Sequence, residues 1–270
     1  MTRSNNAPET PALVVRGLGA GYPWAPRTID QLNFTMCCGE CVALVGPNGA
    51  GKTTLLKSIA GLIPIDTGEV LVHGIDCRHR EVQVGFIPQR NTMDLNFPVT
   101  AHDVVMMGLA RGNSWLPWWP GMVRQRALEL LELFQLGEIA HHAYGELSAG
   151  QQQRILIARA LAQESDILLL DEPFSGVDVA AAAEVASALE TLREQGITML
   201  MATHDMVRAA RDFERLLLLR ETLVADGPPG EVLRPDLLHQ AYGDSAGVLP
   251  LKDGVLHVAS IREPAGLHDD

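Results

Sequence analysis

The fold of this chain can be inferred from one segment, Gly46-Pro47-Asn48-Gly49-Ala50-Gly51-Lys52-Thr53. It fits the pattern G-x-x-x-x-G-K-[ST], in which a glycine-rich loop turns its backbone N–H groups towards phosphates. An apolar run at 41–45 precedes it and predicts a buried strand, and a helix is predicted at 53–60. A glycine-rich turn that matches by coincidence would lack this setting. The order strand, loop, helix therefore indicates a nucleotide-binding α/β domain.

The residue types of this loop predict its ligands. We expect Lys52 to contact the β- and γ-phosphates and the Thr53 hydroxyl to coordinate Mg²⁺. The helix N-terminus adds its positive dipole end to the same place. The other residues expected to bind nucleotide here are Gly46, Pro47, Asn48, Gly49, Ala50, Gly51 and Thr54. ATP and Mg²⁺ are therefore the expected ligands.

Four short apolar runs, at 41–45, 82–87, 167–170 and 197–202, each stop at a polar residue. Continuous apolar runs of this length are typical of strands that are buried on both faces. Helical stretches separate some of them, which favours a largely parallel sheet. Ligands bind such sheets at the carboxyl ends of the strands, and this is where the polar residues lie.

The run at 167–170 ends in two acids, Asp171 and Glu172. We expect Asp171 to hold Mg²⁺ through water, and Glu172 to orient or deprotonate the water that attacks the γ-phosphate. The alternative is an ordinary strand-to-loop boundary with exposed acids. The phosphate loop upstream favours the catalytic interpretation.

The pattern becomes helical between residues 91 and 163. Helices are predicted at 125–136, with Gly137 as the C-cap, and at 148–162. Ser148 and Gln151 form an S-x-x-Q capping box at the start of the second helix. We therefore predict an inserted helical subdomain at 91–158, a core formed by 12–90 and 159–225, and a C-terminal extension at 226–270.

The sequence Leu147-Ser148-Ala149-Gly150-Gln151-Gln152-Gln153-Arg154 resembles the signature motif of ATP-binding-cassette proteins, usually LSGGQ. The order of the surrounding motifs is similar to that family over residues 12–225. This order is the phosphate loop, Gln89, the signature, Asp171-Glu172, Ser175-Gly176-Val177-Asp178 and His204. Tyr22 is similar to the aromatic residue that stacks on adenine. Ala149 departs from the usual glycine and adds one methyl group.

The resemblance implies a fold and a set of site residues. The fold would be α/β, a P-loop NTPase (RecA-like) core with an antiparallel β subdomain and the inserted α-helical subdomain. Two copies would form a homodimer that holds ATP between them. Glu172, His204 and Gln89 would be catalytic, with Gln89 also on Mg²⁺ beside Thr53 and Asp171. The residues that would act on the partner's nucleotide are Ser148, Gly150, Gln151 and Asp178. A purely capping Ser148 and a structural His204 are the alternatives.

Four segments resemble the manganese, zinc and iron-chelate importer ATPases: 88–90, 94–100, 103–108 and 171–178. The resemblance implies import of a transition metal ion or its chelate, with a membrane permease and an extracytoplasmic substrate-binding protein as partners. Importers of siderophores, haem or cobalamin are the nearest alternatives. A soluble cassette ATPase outside transport is a further one, and a nucleotide-regulated protein without turnover is disfavoured by Glu172.

Composition narrows the partners and the location. A net charge of −12 disfavours nucleic acid as a partner. No apolar run reaches the roughly 20 residues of a membrane span, and Met1–Pro11 carries no apolar signal region. We expect a cytoplasmic protein held at the inner face of the membrane by the permease. Trp115, Trp118 and Trp119 would either contact that permease or fold onto their own subdomain.

Overall fold

The structure is a computed structural model that describes residues 11–22, 27–79, 84–89, 98–109 and 121–243. Some predictions fall outside these residues: the start of the strand at 82–87, residues 91–97 of the insert, the three tryptophans and most of the C-terminal extension. Strands and helices are numbered below in chain order.

In the part of the chain that the structure describes, six strands form the larger sheet, in the order β10-β9-β3-β8-β7-β6. They are β3 (Cys41–Val45), β6 (Gly85–Ile87), β7 (Ile167–Asp171), β8 (Thr198–Thr203), β9 (Arg215–Arg220) and β10 (Thr222–Gly227). The neighbouring strands β9, β3, β8, β7 and β6 are all parallel to one another, and β10 is antiparallel to β9. Every residue of β7 and β8 is buried, as the apolar runs predict. The parallel pairing brings the carboxyl ends of the central strands to one edge.

Four strands form the second, antiparallel sheet, in the order β2-β1-β4-β5. They are β1 (Leu13–Ala20), β2 (Ile29–Met36), β4 (Ile65–Val72) and β5 (Ile75–Asp76). Its buried side chains share one hydrophobic cluster with β3, β7 and α1 (Lys52–Ile59). The predicted combination of a P-loop core with an antiparallel β subdomain is confirmed.

Among the described residues between β6 and β7, the chain forms three α-helices: α2 (Ala101–Leu109), α3 (Gly121–Leu133) and α4 (Ala149–Ala162). They pack against each other around Val105, Leu131 and Ile155, which are all fully buried. The helix α4 continues past residue 158 and β10 crosses residue 225. The division at those two positions stays a prediction.

The capping of these helices is partly as predicted. The capping box of Ser148 and Gln151 is confirmed, with both reciprocal hydrogen bonds present. The C-cap predicted at Gly137 is wrong. The helix α3 ends at Leu133, and the left-handed residue after it is Gln135, with φ of 58°. Gly137 instead begins a 3-10 turn, Gly137–Ile139.

Four helices complete the core: α5 (Val179–Glu194), α6 (Met206–Asp212), α7 (Pro229–Val232) and α8 (Pro235–Tyr242). The side chains of Asp178 and Asp205 cap α5 and α6. The last two helices pack with α6 on the face of β3 and β9 that points away from α1. This packing carries the described C-terminal part of the chain back to the large sheet.

Candidate active site

A cleft of about 1010 Å³ lies at the carboxyl edge of the large sheet. Its lining residues are Tyr22, Thr28, Gly46, Pro47, Asn48, Gly49, Ala50, Gly51, Lys52, Thr53, Thr54, Gln89, Glu172, Ser175, His204 and Tyr242. All the nucleotide-binding residues predicted for the chain's own site are among them. The predicted catalytic residues Gln89, Glu172 and His204 line the same cleft.

The phosphate loop joins β3 to α1, and two of its glycines have backbone angles that favour glycine. Gly49 and Gly51 have φ of 80° and 96°. A Cβ on Gly51 would also lie 2.3 Å from Ile29 Cγ2. The loop therefore needs glycine at Gly51 for both its conformation and its packing.

The Lys52 side chain folds across the loop. Its Nζ donates to the carbonyl oxygens of Gly46 at 2.7 Å and Pro47 at 3.0 Å. Burial lowers the pKa of Lys52, and the negative charges of Glu172 and Asp171 oppose that effect. Lys52 is thus a buried ammonium group with two acids nearby that do not fully offset the effect of burial on its pKa. Such a group is suited to attract the oxygens of a phosphate chain.

Thr53 and Asp171 meet directly, although 118 positions separate them in the chain. The Thr53 Oγ1 donates to Asp171 Oδ2 at 2.7 Å. Asp171 is 3% exposed, and burial raises the pKa of its carboxyl, with the Thr53 hydrogen bond acting against the rise. A hydroxyl and a carboxylate side by side are hard oxygen donors that fit Mg²⁺, which keeps several water ligands of its own.

Two polar side chains contact the same carboxylate oxygen of Glu172. Gln89 Nε2 donates to Glu172 Oε2 at 2.8 Å, and His204 Nδ1 lies 3.1 Å from the same atom. The Glu172 backbone has φ of 50°, which is rare for a residue with a side chain. Its N–H donates to the Ala202 carbonyl of β8 at 3.0 Å, which holds this conformation. The ends of three adjacent strands, β6, β7 and β8, thus converge on one carboxylate.

Tyr22 follows β1 and forms one wall of the cleft. The Nζ of Lys57, on α1, lies 5.8 Å from the centre of the Tyr22 ring and 3.4 Å from its hydroxyl. This contact lies within the range of a cation–π interaction. It links the aromatic ring to the helix that follows the phosphate loop.

The signature residues lie elsewhere. Ser148, Gly150 and Gln151 are not among the described residues that line this cleft. Ser148 is exposed, while Gly150 is buried against α5, where a Cβ would lie 2.5 Å from Ala181 Cβ. Asp178 caps α5 through Ala181, whose N–H donates to its Oδ1 at 2.9 Å. Within one chain, the signature and Asp178 are therefore linked through Ala181, which both of them contact at the start of α5.

Sequence reasoning missed three lining residues: Thr28, Ser175 and Tyr242. Ser175 stands in a recognised motif and could have been assigned from it. Thr28 and Tyr242 belong to no motif that we recognised, and Tyr242 comes from the predicted C-terminal extension. It is 64 residues downstream of Asp178, the last residue of the predicted motifs except for His204.

The cysteines differ in exposure. Cys37 and Cys38 are exposed and Cys77 is buried, where burial raises the pKa of its thiol to about 11. Among the residues that the structure describes, no three cysteine, histidine or acidic side chains are placed to hold a metal ion. No helix of the described ranges is long and apolar enough to cross a membrane.

This sequence is similar to known proteins over most of its length. The profile of the ABC transporter family matches residues 29–175. The manganese transport system ATP-binding protein MntB of Halalkalibacterium halodurans is 39% identical over 232 residues, which are 86% of this chain and 92% of the relative. The zinc transport system ATP-binding protein TroB of Treponema pallidum is 40% identical over 205 residues, 76% of this chain and 77% of the relative.

Solved structures agree with these relatives. A metal-chelate type ABC transporter in an inward-facing conformation superposes with a TM-score of 0.74 at 31% identity, over 86% of this chain and 89% of the other. The dimeric ABC transporter cassette MJ0796 superposes with a TM-score of 0.68 at 30% identity, over 80% of this chain and 98% of the other. The family profile, the relatives and the shared fold lead to one conclusion: this chain belongs to the ABC transporter family, as one of its ATP-hydrolysing cassettes.

Proposed function

We propose that this chain is the ATPase subunit of an importer for a transition metal ion, such as manganese, zinc or iron, or for its chelate. The observation that carries the catalytic part is the convergence of Gln89 and His204 on Glu172 Oε2, at 2.8 and 3.1 Å, in the cleft that holds the phosphate loop. The relatives' names support the transported substrate.

In this proposal, different residues of one chain bind the nucleotide, hold Mg²⁺ and activate the attacking water. The loop amides and Lys52 bind the β- and γ-phosphates, and Tyr22 stacks on the adenine. Thr53, Gln89 and, through water, Asp171 hold Mg²⁺, which when bound neutralises charge on the phosphate oxygens. Glu172 orients and deprotonates the attacking water, and His204 contacts the γ-phosphate.

The second half of each site comes from the partner chain. Ser148, Gly150, Gln151 and Asp178 do not belong to the wall of their own chain's cleft. The capped N-terminus of α4 is an anion-binding end with an exposed serine. A homodimer that places this end over the partner's γ-phosphate would complete two sites at once, and the dimeric cassette MJ0796 supports this arrangement.

Transport of a metal ion across a membrane requires protein chains besides this ATPase subunit. We propose a membrane permease that holds this subunit at the inner face of the cell membrane, and an extracytoplasmic protein that delivers the substrate. The insert resemblance and the relatives' role as ATP-binding proteins of manganese and zinc transport systems support both partners. Importers of siderophores, haem or cobalamin share this organisation and are the second candidate, supported by the metal-chelate type transporter.

The catalytic assignment is tested with Glu172→Gln. Loss of a general base lowers turnover about 10²–10⁴-fold, while the amide keeps the size of the side chain. We expect ATP binding to persist and the ATP-loaded variant to run as a dimer in size-exclusion chromatography. Phosphate release equal to that of the wild type would exclude Glu172 as the catalytic carboxylate.

The transport assignment is tested by reconstituting this chain with a permease and a substrate-delivering protein of the proposed kind. Vesicles that enclose ATP on the cassette side, with the substrate-delivering protein outside, should take up radioactive manganese or zinc. Vesicles with the Glu172→Gln cassette serve as the control. ATP-dependent uptake of an iron chelate or cobalamin, without uptake of either free ion, would favour the second candidate.

A further inference from the structure

The C-terminal helix α8 reaches the nucleotide cleft through its last residue. Leu238 and Ala241 are buried on the sheet face of Val45 and Leu218. Arg220, at the end of β9, fixes the helix further, because its Nη1 donates to the Gln240 carbonyl at 2.6 Å. The helix is therefore firmly held where it meets the phosphate loop.

Tyr242 is the residue of α8 that lines the cleft. Its hydroxyl is buried and has no hydrogen-bond partner within the described residues. Gly46 lines the same cleft, and its backbone lowers the pKa of Tyr242, whereas burial has the larger effect and raises this pKa to about 12. A phenylalanine would fill the same space without burying an unpaired hydroxyl.

Gly46 links Tyr242 to the phosphate loop, because it is the first residue of that loop. A Cβ on Gly46 would lie 2.3 Å from the Leu219 carbonyl oxygen, so its backbone is packed tightly against β9. Its own carbonyl accepts a hydrogen bond from Lys52 Nζ at 2.7 Å. The Gly46 backbone is thus held between β9 and Lys52, at the point where the phosphate loop begins.

We propose that Tyr242 is a positioning residue of the nucleotide site, whose contact with Gly46 closes into a hydrogen bond when nucleotide is bound. Through this bond α8 stabilises the nucleotide-bound form of the phosphate loop. The predicted C-terminal extension then supplies one part of the site that the motif order does not contain. This inference rests on the proposed nucleotide site of this chain.

The test is Tyr242→Phe in the full-length chain, with Mg-ADP and a slowly hydrolysed ATP analogue as probes in isothermal titration calorimetry. We expect the dissociation constants to rise about three- to tenfold, the usual worth of one hydrogen bond. The melting temperature without nucleotide should stay equal or rise, because an unpaired buried hydroxyl has been removed. These two changes have opposite signs, which a merely structural role would not produce.

Tyr144→Phe is the matched control, since Tyr144 is 1% exposed in the helical region and does not line the cleft. Its nucleotide affinity should equal that of the wild type. Unchanged affinity in Tyr242→Phe would overturn the inference, and so would a lower melting temperature together with weaker binding. Failure of the wild type itself to bind nucleotide, or binding that survives Lys52→Ala, would instead count against the proposed site.

Discussion

Gly150→Ala tests whether the signature helix and α5 move as one unit. The added methyl group would lie 2.5 Å from Ala181 Cβ, whereas carbon atoms pack at about 3.5–4.0 Å. The two helix starts must therefore separate by about 1 Å or more. Overpacking of this kind costs about 1–3 kcal/mol, partly offset by the better helix propensity of alanine.

In the proposed homodimer, the displacement should reach the partner's site from both helices. Ser148 lies two residues before Gly150, and Asp178 receives the N–H of Ala181 at 2.9 Å. We expect the melting temperature of Gly150→Ala to fall by about 2–10 °C, at the usual response of a domain of this size. ATP turnover should fall as well, while the affinity of the isolated chain for ADP should stay within about threefold, because the lining of its own cleft is untouched.

Ala181→Gly removes the methyl group on the other side of the contact and gives a double-mutant cycle. The double variant should recover most of the melting temperature that Gly150→Ala loses, after correction for the single Ala181→Gly change. Ala149→Gly is the control for the signature, since Ala149 is exposed. Wild-type stability and turnover in Gly150→Ala, or additive effects in the cycle, would refute the packing argument. Recovered stability without recovered turnover would show that Gly150 also acts directly on the partner's nucleotide.

Two further predictions concern charges. Arg215 pairs with Asp226 at 2.7 Å and with Glu40 at 2.8 Å, so Arg215→Ala should lower the free energy of unfolding by about 1–3 kcal/mol, measured by urea titration; an unchanged midpoint and slope would contradict this. Burial raises the pKa of Asp171 in the folded state. The folded protein therefore binds more protons between the ordinary and raised values, and its stability relative to Asp171→Asn should fall as pH rises from about 3 to 7. Urea unfolding of both proteins across that range measures this difference, and a difference that is constant or grows in favour of the wild type would contradict it.

Local chemistry made the phosphate loop and the signature cap predictable. In both cases the partners are neighbours in the sequence, so residue type and spacing fix the geometry. Ser148 and Gln151 form the reciprocal bonds that a capping box requires. The end of α3 shows the limit of such reasoning. Gly137 is the better left-handed residue by propensity, but the Leu136 N–H reaches the Leu131 carbonyl at 2.8 Å and places Gln135 in that conformation.

Residue types and their spacing were enough to predict the class of fold, the loop that receives phosphates and the two acids at the end of β7. The sharing of one Glu172 oxygen by Gln89 and His204 could not be predicted in this way, since it depends on β6, β7 and β8 being neighbours in the sheet. The same holds for Tyr242, which enters the cleft because α8 packs on β9. A pattern of residue types records which face of an element is apolar, but contacts between distant segments follow from how those faces pack.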